Sequence, residues 1–354
     1  MAVPFTHAAT SYLDNYDLDL NDALKQQDGV IAVLGAKGRI KEETSGGENF
    51  RVRIMYAGNP NVGWAPTTQQ VSTLQTVSKT MAQVPQRFIR GAISINTIEL
   101  ARAARGGEWS LCDYMKEEKL AAKGAYVQDW ARVLRQDAPT GNEPLTLLPT
   151  SANVANGILA PQASASQTAT TAGISRADNS WWRNAYSNAS IDISSEAGRA
   201  ALYNLYLQTV FGSAQADEPD FGLTSGAVIA DLAAAADTNR RADYADKLMI
   251  QFGQRGIMFY NAMLIRDAAT KLSNKVCFLN SRDLYIKFLR QIGADDFSPS
   301  KENWDQNNEN GMIPVTVLPF QKDIDSFHIV SLFSSVASLV PAQLRTHALA
   351  DNVV

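Results

Sequence analysis

Cysteine and histidine are nearly missing from this 354-residue chain, which holds two of the first and three of the second. Cys112 and Cys277 stand far apart in apolar segments, which argues against a secreted disulfide framework and reads as two buried thiols made in a reducing compartment. His7, His328 and His347 form no His-x-x-x-His pair and there is no Cys-x-x-Cys, so no zinc site is expected. A nucleophile elbow, a Walker A loop and a dinucleotide fingerprint are also missing, and the acidic pair Asp295-Asp296 is adjacent, as in a solvated loop. We expect no catalytic, cofactor-binding or metal-binding residues, and no enzyme.

An excess of either charge is lacking too. With 32 basic against 36 acidic residues the formal charge is −4, which provides no overall pull toward nucleic acid. No basic segment followed by an apolar run opens MAVPFTHAATSYLDNYDLDL, so no signal peptide is expected. No window approaches the roughly 18 apolar residues of a membrane helix, and no membrane is expected as a partner. What the chain does have is length and 45% hydrophobic residues, enough for two domains or one large domain with insertions.

Along the chain the pattern changes several times. Residues 1–34 carry the acidic run DNYDLDLND, whose Asp14, Asp17, Asp19 and Asp22 miss the calcium-loop spacing and lack its central Gly and closing Glu. We read it as a solvated arm with one amphipathic turn. Within 35–72, Phe50, Val52 and Ile54 alternate with Arg51, Arg53 and Met55 between glycine-rich bends, the pattern of a projecting β hairpin with one buried face. From about 108 to 137, Leu111, Met115, Ala122, Tyr126, Trp130 and Val133 or Leu134 recur at helical spacing and predict a long helix. Its ~1.5 Å rise per residue makes it a spine.

A Pro-, Ser-, Thr- and Ala-rich stretch over 139–175 follows, and then mixed α and β text. A cap at Ser194 or Ser195 opens a helix running to Gly212, and PDFGLTSGAVIADLAAAA reads as a short strand feeding a second helix. GIMFYNAMLIRDAA predicts two strands around Tyr260-Asn261-Ala262, and KVCFLNSRDLYIKFL another pair turning at Asn280-Ser281. IVSLFSSVASLVPAQL predicts a returning strand pair ending near Pro341. The fold class expected is α+β.

Two stretches compete as recognition sites. Gly35-Ala36-Lys37-Gly38 approximates the Gly-x-x-Gly loop of a KH RNA-binding module, whose loop grips nucleotide backbone. Against this, the helix that should follow would have to run through Ser45-Gly46-Gly47, and then a strand pattern begins. The adjacent Trp181 and Trp182 suggest base or sugar stacking, but only Arg176 and Arg183 lie near as cations. Adjacent side chains diverge in helix and strand alike, so two rings cannot make one flat platform. One ring filling a core and the other covering an edge or interface is the alternative, with Arg183 and Asn184 satisfying backbone groups.

The order of these pieces resembles the tailed-phage major capsid proteins of the Hong Kong 97 (HK97-like) fold. Gly173, Ile174, Arg176, Trp182, Arg183 and Asn184 match the text that follows the spine helix in that family; Trp182 is the aligned ring, hence the one expected to be buried. Phe252, Gly253, Asn261 and Asp267 resemble a strand and turn of the family's axial domain, and Phe278, Leu279 and Asn280 the strand soon after it. The resemblance spans nearly the whole chain. It implies an N-terminal arm over 1–34, an extended loop over 35–72, a peripheral domain over 73–190 containing the spine helix, an axial domain over 191–325, and returning peripheral strands with a tail over 326–354.

The function so implied is structural. The subunit would assemble with itself into hexamers and pentamers, forming a head shell around double-stranded DNA that it does not bind sequence-specifically. Heterologous contacts of that kind close into rings. Portal and scaffolding proteins are implied as partners, a decoration protein is a further candidate, and the location is the virion after assembly in the host cytoplasm. A nanocompartment shell of the same fold is the alternative reading. Some family members crosslink a loop lysine to a neighbour; Lys37 and Lys41 occupy that region, but a solvated loop lysine explains both and no site is assigned.

Overall fold

A computed structural model of the chain describes residues 28–43, 47–56, 79–98, most of 118–134 singly or in short runs, 145–148, 157–160, 169–210, 218–235, 256–267, 272, 274–289, 316–317, 321–322 and 328–354. The acidic run, Phe252 and Gly253 lie outside these residues.

The first described element shows that the end of the segment expected as an arm over 1–34 is a buried helix. Gly29–Ala36 is a helix capped by Asp28, whose Oδ1 accepts from the Val30 and Ile31 amides at 2.8 and 3.2 Å. Residues 29–35 are all buried, because a sequence apolar all round has no face to offer water. The turn after it contains Gly38 at φ +63, a conformation that suits glycine, and leads into strand β1, Ile40–Glu42. A KH loop needs a helix there, so the KH alternative fails on the fold.

Next come β2 (Asn49–Met55) and β3 (Lys79–Pro85), paired antiparallel from Asn49 opposite Pro85 to Met55 opposite Lys79. This is the expected hairpin, with Phe50, Ile54, Ala82 and Val84 buried on one face. Its returning strand lies beyond residue 72, so the loop boundary expected there cuts the ribbon in half. The Gly-Asn-Pro-Asn signal marks a bend but carries no information about where the second strand resumes.

Strand β4 (Phe88–Asn96) lies along the long β15 (His328–Pro341), nine residue pairs in antiparallel register. The sequence had suggested two strands in this last region. The structure makes one, since Ser334, Ser335 and Ser338 are tolerated within a ladder in which every residue from His328 to Pro341 has a strand partner. Short β13 (Thr316–Val317) and β14 (Gln321–Lys322) pair with β15 as well. β12 (Leu284–Phe288) joins β15 to β1 and completes a six-stranded sheet.

Over this sheet lies the spine helix. Every described residue between 118 and 134 is helical, and Tyr126, Trp130 and Leu134 are buried at the predicted spacing. Tyr126 Oη and Ser335 Oγ are hydrogen-bonded at 2.9 Å, fixing helix to strand.

A second six-stranded sheet has the order β7-β16-β11-β8-β10-β9. Its strands are β7 (Ala185–Ser187), β8 (Phe221–Thr224), β9 (Gly256–Phe259), β10 (Ala262–Arg266), β11 (Val276–Leu279) and β16 (Ala348–Ala350). The continuous apolar runs follow from burial on both faces. In β11, Cys277 and Leu279 pack toward the core shared with the first sheet, while Val276 and Phe278 meet Leu202, Leu205 and Tyr206 of helix Glu196–Leu207.

That helix begins where Ser195 Oγ accepts the Gly198 amide at 3.0 Å. Ser195→Ala should cost about 1 kcal/mol in urea unfolding, the usual worth of an N-cap.

Two expected groupings change. β11 and β12 are not a hairpin: β11 belongs to the second sheet and β12 to the first, and the chain crosses between them at Asn280–Asp283. Likewise β16, placed by sequence with the returning strands and tail, pairs with β11 and β7 in the second sheet. Boundaries at 190 and 325 therefore do not separate the sheets, because strand partners are chosen by packing rather than by sequence neighbourhood.

Candidate functional site

The tryptophan stretch lies where the chain leaves the first half for β7. A two-residue hairpin precedes it, β5 (Thr170–Thr171) with β6 (Ile174–Ser175), turning through Ala172 at φ 53 and Gly173 at φ 78. Two successive left-handed residues are the requirement of a tight hairpin turn, which explains the glycine. The Gln83 amide donates to the Ala172 carbonyl at 2.7 Å, tying this turn to the ribbon.

Around it the side chains form one buried network. Arg176, fully buried, donates from Nε to Thr171 Oγ1 at 2.9 Å, from Nη1 to Asn184 Oδ1 at 3.2 Å, and from Nη2 to the Gly157 and Ile158 carbonyls at 2.7 and 3.0 Å. Burial lowers its pKa to about 10, so it remains a cation at neutral pH. Asn184 Oδ1 also accepts the Ala160 amide at 2.9 Å, and its Nδ2 donates to the Ala185 carbonyl at 2.9 Å. Arg183 donates to the Arg176 and Ala177 carbonyls at 2.7 and 2.9 Å. Both residues thus satisfy backbone, as their chemistry suggested.

Trp181 and Trp182 lie in a single 3₁₀ turn, Ser180–Trp182, with ring planes 59° apart. Trp182 is 0% exposed and donates Nε1–H to the Thr171 carbonyl at 3.1 Å. Trp181 is partly buried and stacks on Tyr56, just past β2, at 4.7 Å and 12°. One ring therefore fills a core while the other stacks at the Met55 end of β2, and the pair makes no flat platform for a base or sugar.

The ribbon is held a second time by residues that sequence reading missed. Lys287 Nζ on β12 pairs with Glu43 Oε2 at 2.8 Å and also donates to the Arg51 carbonyl, while Glu43 Oε2 accepts the Arg51 amide at 3.2 Å. Nothing in a lone lysine and a lone glutamate 244 positions apart signals this contact. Beyond the clamp, the ribbon's other face presents Arg51, Arg53, Met55, Lys79, Met81 and Gln83 to solvent, with Met55 61% exposed.

The remaining sequence candidates have structural roles. Lys37 caps the first helix and lies 3.8 Å from Asp220 Oδ2, and Lys41 and Arg39 sit over the Tyr285 ring at 5.3 and 5.4 Å. Asn261 donates to Glu218 Oε2 at 2.6 Å in the β9–β10 turn, and the Asp267 amide donates to the Thr224 carbonyl at 2.8 Å. Phe278 and Leu279 are core, and Asn280 caps the crossing with Oδ1 on the Arg282 amide at 2.9 Å. Among the described residues no group of three or more His, Cys, Asp or Glu is placed to hold a metal, and no helix is long and apolar enough to cross a membrane.

Solved structures similar to this chain include phage and phage-like capsid subunits. The capsid asymmetric unit of cyanophage A-1(L) matches with a TM-score of 0.56 at 13% identity, covering 92% of this chain and 93% of that one. The capsid of an empty GTA particle matches at 0.53 and 12% identity over 91% and 90%, and the capsid of Myoviridae phage XM1 at 0.50 and 12% over 89% and 90%. No family model matches the chain, and no curated protein does. Shared coverage of this extent at such low identity establishes a shared fold. The chain has the α+β, HK97-like fold of tailed-phage capsid subunits, as the order of its sequence pieces implied.

Proposed function

We propose that this protein is a major capsid protein, a structural subunit that self-assembles into hexamers and pentamers to form a phage head around double-stranded DNA. The observation that carries this reading is coverage: about nine-tenths of the chain aligns with about nine-tenths of each capsid subunit. In this reading the ribbon β2–β3 is the extended loop, laid over a neighbouring subunit. The sheet containing β4 and β15, with the spine helix, is the peripheral domain, and the sheet from β7 to β9 is the axial domain meeting its copies around the symmetry axes. The protein has no enzymatic activity. Its place is the virion after assembly in the host cytoplasm, with portal and scaffolding proteins as partners.

The test is negative-stain microscopy and light scattering of the purified protein. Uniform shells, or hexameric and pentameric rings, are the expected result; a monomer under all conditions overturns the reading. Arg53→Glu with Lys79→Glu inverts the exposed ribbon face without touching the core. Such exposed substitutions change stability by only about 0.5 kcal/mol, so a folded subunit that no longer closes shells is expected. Normal shells from that variant would exclude the ribbon face as a contact.

A further inference from the structure

Among the described residues, three segments carry the chain between its two halves: from β6 to β7, from β11 to β12, and from β15 to β16. One residue touches all three. His347 lies in the third, its carbonyl accepts the Ala185 amide of the first at 3.0 Å, and its Nδ1 accepts the Asn280 amide of the second at 3.1 Å. It is fully buried. On its N-terminal side the second and third crossings are bonded again: Thr346 Oγ1 donates to Asp283 Oδ2 at 2.8 Å, and the Ala342 amide to the Asp283 carbonyl at 2.7 Å.

We propose that His347 is an acid-sensitive latch that fixes the orientation of the second sheet relative to the first. The Asn280 bond assigns the tautomer: Nδ1 holds the lone pair and Nε2 carries the hydrogen. A proton added at Nδ1 takes away that lone pair and places one N–H against another in a site closed to water. The Asn280 contact must then break, and with it the alignment of the crossings.

Charged groups on and beside the three crossings are engaged with other partners. Asp283 accepts from Thr346, Asp220 accepts the Ser281 amide at 2.8 Å and faces Lys37, and Arg345 Nε donates to Gln343 Oε1 at 3.1 Å. On the first crossing Arg176 is held by Asn184 and two carbonyls, and Arg183 by two more. Burial lowers the His347 pKa to about 3, outweighing the Gln343 backbone, which acts in the opposite direction.

The sign follows from linkage. The closed joint takes up no proton until pH falls to about 3, whereas the opened joint takes one up near the ordinary value of about 6.5. Closure is therefore at full strength above about 6.5, and its opening constant rises up to tenfold per pH unit below that. This latch goes beyond the shell reading, since it operates in an isolated subunit as well as in an assembly.

Hydrogen exchange of the full chain between pH 7.5 and 5.0, corrected for intrinsic rates, tests it. Peptides covering 276–284 and 342–350 should lose protection about thirtyfold by pH 5.0, while helix 196–207 stays protected. His347→Asn keeps an acceptor oxygen near the Nδ1 position without a titrating group and should abolish the loss; His347→Gln serves if that variant does not fold. Unchanged protection of 276–284 in the wild-type chain, an equal loss in the variant, or an equal loss in every peptide would each overturn the latch.

Discussion

Arg176→Met should lose about 3–5 kcal/mol of folding stability in urea titration, with an unchanged m-value. Methionine matches the unbranched stem of the side chain as far as Nε but donates nothing. The carbonyls of Gly157 and Ile158 then stay buried without the guanidinium that bonds them, and Thr171 and Asn184 each lose one donor. The wild-type cation is tolerated because four acceptors converge on its planar fork, a geometry that one ammonium cannot reproduce. Arg176→Lys should accordingly restore charge but only about half of the lost stability. A cost below about 1 kcal/mol for Arg176→Met would mean that this network does not hold the joint.

Trp182→Ala should cost about 3–5 kcal/mol, against about 1 kcal/mol for Trp181→Ala, measured by the same unfolding experiment. The first removes a fully buried indole and its bond to the Thr171 carbonyl; the second removes a partly exposed ring whose main contact is the stack on Tyr56. Reversed costs would show that the ribbon contact, not the core contact, anchors the joint. Arg176 and Trp182 both hold Thr171, one through its hydroxyl and the other through its carbonyl, so the double variant should cost less than the two single costs combined.

Much of this was legible in the residues. The alternation at Phe50, Val52 and Ile54 placed one strand of the ribbon, and the three-and-four spacing of Tyr126, Trp130 and Leu134 placed the spine helix, because in both the side-chain period is a property of the local backbone. The divergence of adjacent side chains anticipated two rings with different surroundings; the family text then singled out Trp182 as the buried one. The helix Gly29–Ala36 was misjudged for a related reason. Its residues are apolar on every side, so no periodicity marks it, and the acidic text before it has the composition of a solvated segment.

The sequence by itself determined many of the local elements, the lack of familiar catalytic motifs in the given residues and, through the order of pieces, the capsid fold. Only the tertiary structure decided which strands are partners, since Asn280–Asp283 looks like a hairpin turn and is a crossing between two sheets. It alone brought Lys287 to Glu43 and His347 to Asn280, and it alone showed the ribbon returning at Lys79–Pro85. The physical reason is range. Periodicity and turn chemistry act over a few residues, whereas strand pairing, buried ion pairs and burial itself depend on chain segments that only the completed core brings together.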